Sequence, residues 1–131
     1  EIGMDVPVFG PEVLNDGSLV EVAGNAADGL KITVPAAGTG SVYADFKSSY
    51  NTKFGRDPEA YTAESYDAVF LIADALKKTD GSGEKIKDEL YQTRFVGASG
   101  VIVFNADGDP GDKEYDILEL TSGTFVNIGK V

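Results

Sequence analysis

The chain has 131 residues, 42% of them hydrophobic and 25% charged, and 22 acidic against 11 basic side chains give a net charge of −11. This size and composition fit one ordinary globular domain able to bury about two thirds of its unfolded surface. Without Cys or His there is no thiol chemistry, no thiolate zinc site and no imidazole base, and the scattered basic residues offer no stripe for a nucleic-acid backbone or an anionic membrane.

Val6 to Phe9 reads as a strand, bounded by Asp5-Val6-Pro7 and by Gly10-Pro11. It delivers Glu12 to the mouth of the following loop, and in open α/β sheets ligands collect outside the carboxyl ends of strands. On its own, Glu12 also fits one more surface acid. Asn15-Asp16-Gly17-Ser18 carries turn and N-cap chemistry and predicts a short helix ending near Gly24. Gly29 to Pro35 alternates apolar and polar residues, with Leu30, Ile32 and Val34 on one face, and Pro35 terminates it as a strand.

Ala36 to Gly40 is a connector of small residues where the chain can change direction. Ser41 is expected to cap a helix whose Val42, Phe46 and Tyr50 fall at i, i+4 and i+8, with Gly55 in the left-handed C-terminal position. Asp57-Pro58-Glu59 combines an N-cap, an N1 proline and a first-turn acid, predicting a helix from there to about Thr79. Tyr61 and Tyr66 on its first turns would point about 140° apart, one to the core and one to a cleft; packing of both in the core or on the surface is the plainer alternative. The apolar run Ala68 to Ala73 implies burial on most sides of this helix and is far shorter than the roughly 20 residues of a membrane span. No signal peptide is visible, and the opening Glu1-Ile2-Gly3 lacks an initiator Met, as expected of a processed or truncated product.

Asp80-Gly81-Ser82-Gly83 breaks the long helix, and a shorter one is predicted from Glu84 to about Thr93 with Ile86 and Leu90 on one stripe. Strands are predicted at Val101 to Phe104, Tyr115 to Leu120 and Phe125 to Ile128, together an antiparallel meander. The turn Asn105-Ala106-Asp107-Gly108-Asp109-Pro110 invites a calcium-loop reading. Pro110 stands where that loop requires Gly, however, Asp116 stands where a bidentate Glu is expected, and a strand follows in place of a helix. A tight turn fits better. Gly38-Thr39-Gly40-Ser41 and Gly81-Ser82-Gly83 match neither phosphate-loop nor dinucleotide fingerprints. No nucleophile stands with a base and no carboxylate pair has a catalytic spacing, so no enzyme activity is expected. Neither a metal nor a cofactor is expected.

The order of these elements, with Phe9-Gly10-Pro11-Glu12, Gly29 to Pro35, Tyr61-Thr62-Ala63-Glu64-Ser65-Tyr66-Asp67-Ala68-Val69 and Gly100 to Asp109, resembles the C-terminal part of the leucine/isoleucine/valine-binding proteins. These are the substrate-binding components of branched-chain amino-acid ABC transporters. The resemblance implies an α/β, partial type I periplasmic-binding-protein-like three-layer fold: strands with helices plus a C-terminal antiparallel meander. It implies two lobes closing on a ligand, with residues 1–34 in the second lobe, 35–115 in the first and 116–131 back in the second. It further implies capture of an amino acid, branched-chain or otherwise hydrophobic, in the periplasm or another extracytoplasmic space, with a lipid anchor as one form of the full-length protein. The implied partners are the amino acid, an ABC permease in the membrane and a missing N-terminal part of the same protein; exposed lobe core would favour self-association of the piece. By the same resemblance Glu12 matches the glutamate that pairs with the ligand's α-ammonium, and Tyr61 matches an aromatic walling the side-chain pocket. Val13 departs from the Gly of the best-known members. A ligand-sensing domain of a receptor or regulator with the same fold is the alternative.

Overall fold

The computed structural model describes residues 6–111 and 113–131. The chain divides into two compact units: Glu1–Ala36 with Glu114–Val131, and Ala37–Lys113.

The first unit is built on a four-stranded sheet. Strand β1 (Phe9–Pro11) pairs in parallel with β2 (Lys31–Pro35), which pairs antiparallel with β5 (Tyr115–Thr121), itself antiparallel to β6 (Thr124–Lys130). The alternation of Leu30, Ile32 and Val34 does what its period demands: all three are buried and meet Leu120, with Leu14, Leu19, Val20, Ala27, Leu118 and Phe125 packed around them. Helix α1 (Gly17–Ala23) covers this face. It is capped by the Asp16 carboxylate, which accepts from Ser18 N at 2.7 Å and is held below its usual pKa first by the Ser18 side chain and then by that backbone bond. The β5–β6 connection is a two-residue hairpin turn with Ser122 and Gly123 both at positive φ. Ser122 N also donates to Asp28 Oδ1 at 3.0 Å, which secures a conformation that serine alone disfavours. A bulge separates the pairs Ile117–Gly129 and Leu118–Asn127, leaving Ile128 as the extra residue.

The second unit is mainly helical: α2 (Gly40–Phe54), α3 (Thr62–Lys78) and α4 (Gly83–Gln92), followed by a two-stranded antiparallel sheet of β3 (Phe95–Gly97) and β4 (Gly100–Ile102). Phe46, Ala63 and Ala98 are its buried cluster, flanked by Tyr43 and Tyr50. Lys78 joins α3 to α4 by pairing with Asp74 at 2.9 Å and Glu89 at 3.0 Å. Gly38 allows the connector to lie against the β3–β4 turn, where a methyl group would overlap the Ala98 carbonyl.

Several expectations need correction. The first strand is shifted to Phe9–Pro11, because its partner Lys31–Pro35 fixes the register, and the expected boundary at Asp5 lies outside the described residues. The second strand begins at Lys31, two residues later than the alternation suggests. Helix α2 starts one residue before Ser41, with Thr39 at the cap and no side-chain capping bond. Gly55 does take the left-handed position, at φ 70°. Asp57 does not start α3: its carboxylate is taken by Lys47 at 2.9 Å and Asn51 Nδ2 at 3.1 Å, so it ties down the end of α2, and the helix begins at Thr62. The centre of α3 is not buried all round. Only the stripe Ala63, Asp67, Leu71 and Ala75 is, while Val69 is 65% exposed. Finally, the strand near Val101 does not join a three-stranded meander. It pairs with Phe95–Gly97, so the C-terminal antiparallel element is the β5–β6 hairpin alone.

Candidate functional site

Glu12 opens a single 3-10 turn, Glu12–Leu14, directly after β1. Because β1 and β2 run parallel with Pro11 opposite Thr33, the carboxylate leaves the sheet at the carboxyl ends of both strands. Leu14 folds back over Gly10, where a Cβ would collide with it, and anchors the turn to the core. Glu12 is half-buried. Among the described residues none of the ion pairs or side-chain hydrogen bonds uses its carboxylate; the turn is closed by its carbonyl, which accepts from Asn15 N at 2.8 Å. The cation at this end of the sheet, Lys130, is already paired with Glu114 at 2.8 Å and lies 4.0 Å from Asp116 Oδ1. That pairing raises the pKa of Lys130 and lowers that of Glu114, chiefly through their mutual hydrogen bond. A half-buried carboxylate without a cation is well suited to accept one from a ligand.

Tyr61 lies in the second unit, immediately before α3 rather than on its first turn, at φ 62° and ψ 0°. A non-glycine residue in the left-handed region carries a cost of order 1 kcal/mol and persists where its surroundings over-determine it, a condition met often at ligand sites. Thr62 N donates to the Glu59 carbonyl at 3.2 Å and Ser65 N to the Tyr61 carbonyl at 2.9 Å, which fixes the backbone on both sides. The residue is 44% exposed. Tyr66 is different. It packs at a tilt on Phe46 and Phe70, with ring centroids 5.0 and 4.7 Å away, and belongs to an aromatic ladder running along α2 and α3.

Two features escaped the sequence reading. Asp67 is buried in α3, and its carboxylate accepts from Ala98 N at 2.8 Å, Ser99 N at 2.6 Å and Ser99 Oγ at 2.6 Å. Lys113 Nζ donates to Glu64 Oε1 at 2.9 Å and to the Ser99 carbonyl at 3.1 Å. Both join residues distant in sequence, and the partners on the 98–99 turn include backbone groups, which leave no trace in side-chain patterning. The 105–110 segment closes as a turn: Asn105 Oδ1 accepts from Asp107 N at 2.9 Å and Asp109 N at 3.0 Å, and Gly108 has φ 90°. Among the described residues there is no group of three or more acids placed to hold a metal ion, and no helix long and apolar enough to cross a membrane.

Comparison with known proteins gives these geometries a setting. The receptor family ligand binding region matches residues 15–123. A leucine binding protein from Thermotoga maritima, of known structure, is 28% identical over 99% of this chain and 38% of its own, with a TM-score of 0.80. A leucine-, isoleucine-, valine-, threonine- and alanine-binding protein of Pseudomonas aeruginosa is 25% identical over 91% of this chain and 32% of its own length. A metabotropic glutamate receptor-like protein of Dictyostelium discoideum is 29% identical over 91% of this chain, and the chain spans 17% of it. The chain thus spans a third or less of the curated relatives it matches. It belongs to the receptor family ligand binding region, and its fold is the type I periplasmic binding protein fold of the branched-chain amino-acid-binding proteins.

Proposed function

We propose that the protein carrying this chain captures an amino acid with a hydrophobic side chain, outside the cytoplasm, for an ABC transporter. Glu12 takes the α-ammonium and Tyr61 walls the side-chain pocket. The reading is carried by Glu12: a half-buried carboxylate at the carboxyl end of a strand, with no cation of its own among the described residues. It is supported by the left-handed backbone of Tyr61 and by the amino acids for which the Thermotoga and Pseudomonas relatives are named. Residues 1–34 and 116–131 then form part of the second lobe and residues 35–115 part of the first. The remainder of the same protein covers the exposed apolar face of α3, and that face drives self-association when the remainder is absent. The protein is a binder and turns nothing over. The permease is its partner in the membrane, and a lipid anchor in the full-length protein would keep it there.

Titration calorimetry of the full-length protein tests this with L-leucine and with 4-methylpentanoate, which keeps the carboxylate and side chain but lacks the amine. Leucine should bind and 4-methylpentanoate should not, and Glu12→Ala should weaken leucine by roughly thirtyfold or more, the range for removing one partner of a desolvated charge pair. Unchanged leucine affinity in Glu12→Ala would overturn the role of Glu12. Binding of the acid alone would overturn the ligand class.

A second reading has its own observation: the 29% identity to a glutamate-receptor-like protein. There the same capture would drive signalling, and a fused membrane or signalling segment in the full-length protein would favour it.

A further inference from the structure

The chain passes from the first unit to the second at Ala36–Ala37 and returns at Lys113–Glu114. On the sheet side these junctions lie next to each other: Ala36 N donates to the Glu114 carbonyl at 3.0 Å, and Pro35 pairs with Tyr115. Each side of the second junction is held by a lysine. On the sheet side Lys130 holds Glu114, with both side chains about half or more exposed (49% and 66%), so that contact is screened by salt. On the helical side Lys113 is only 19% exposed and makes two bonds, to Glu64 in the first turn of α3 and to the carbonyl of Ser99. Ser99 in turn is gripped through its N–H and hydroxyl by Asp67, which is 1% exposed. The last residue of the helical unit is therefore tied to the most fully determined polar network in that unit.

We propose that Lys113 is a positioning residue for a hinge, clamping the end of the helical unit to α3 so that rotation between the units concentrates at the 113–114 and 36–37 junctions. The proposal rests on the ligand-closure reading given above. Hinges absorb large backbone changes in a few residues only when the flanking segments are held. If Lys113 were free, the 103–113 segment would share the rotation, and closure would no longer bring the ligand contacts to one geometry. Because Glu64 lies three residues beyond Tyr61, the clamp and the proposed ligand contact are also held at the same end of α3.

The test uses the full-length protein with Lys113→Met, Lys113→Arg and Glu64→Gln. Hydrogen exchange is followed at the Gly111 amide, bonded to the Val103 carbonyl, and at the Ala36 amide. L-leucine affinity is followed by calorimetry. Lys113→Met should speed exchange at both amides about tenfold and weaken leucine about tenfold, mainly through faster dissociation. Lys113→Arg should restore both, and Glu64→Gln should fall between. Wild-type exchange in Lys113→Met, or weakened binding with unchanged exchange, overturns the proposal, as does failure of Lys113→Arg to rescue. Should Lys113→Met not fold, Glu64→Gln decides on the same two readouts. Failure of the wild type to bind L-leucine would sink the ligand assignment while the exchange measurements still decide on the hinge.

Discussion

The two units solve the burial problem differently. The sheet unit closes a continuous core in which Ile32 and Leu120 are almost completely hidden, and its registers are fixed by alternation on β2 and β5. The helical unit buries only small residues and one phenylalanine in its cluster, adds Leu71 and Ala75 on the buried stripe of α3, and sets a polar network around Asp67 beside them. Along α3 it leaves Tyr66, Val69, Phe70, Ile72 and Leu76 substantially exposed. A unit can thus be locally well ordered through hydrogen bonds while its apolar surface still lacks a cover.

The contrast can be broken at its strongest point first. Ile32→Ala should cost the sheet unit about 2–5 kcal/mol, the range for truncating a buried aliphatic side chain, read as a lower midpoint in urea denaturation. If the midpoint holds, the sheet core is not what stabilises that unit. Asp67→Ala should cost about 3 kcal/mol, because it strands three donors that no water easily reaches. Amides of β3 and β4 should then exchange faster while those of β2 do not, which would sharpen the division between the units.

A smaller, acid-range effect is expected at Asp57. Its carboxyl is held below the usual range by the hydrogen bond from Lys47, then by that from Asn51. A depressed folded-state pKa contributes stability above the unfolded value and loses it as pH falls through the folded one, so this staple should release below about pH 4. Carbon-detected NMR titration of Asp57 reads it directly, and a midpoint at or above the ordinary carboxylate value would refute it. The smallest effect belongs to Val69→Ala on the exposed face of α3, within about 0.5 kcal/mol in the 131-residue chain. A larger loss would mean that this face is already covered by another copy.

Much of the sheet unit was legible because its signals are local. Leu30, Ile32 and Val34 alternate in one short segment, and Asp16 caps the helix beside it; in the helical unit, Gly55 likewise marks the end of α2 as expected. The misreadings arose where a local signal met a distant partner. Asp57-Pro58 looks like a helix start, yet Lys47 and Asn51 on the previous helix claim its carboxylate. Val101 has strand character, but the choice between Phe95–Gly97 and Tyr115–Thr121 as its neighbour is made in three dimensions. An apolar run such as Ala68 to Ala73 reports only what a helix can bury, while packing decides which side it does bury. At the candidate site, Gly10-Pro11-Glu12 announced where Glu12 would emerge. Nothing in the side-chain pattern announced the left-handed backbone of Tyr61 or the three donors around Asp67.

The bulge at Ile128 has a consequence of its own. Counted evenly back from the hairpin turn, Asp116 would stand opposite Gly129, and Lys130 would fall one step further along, beside Tyr115 and on the other surface of the pleat. The single extra residue shifts the phase of the strand so that Lys130 stands opposite Asp116. The bulge thus acts as an address: by looping one residue out it keeps the positive charge on the side of the sheet where Glu114 and Asp116 wait for it. Deleting Ile128 would simply iron out the bulge and leave Lys130 opposite Asp116, whereas regular pairing with Ile128 in place would send that charge to the other face.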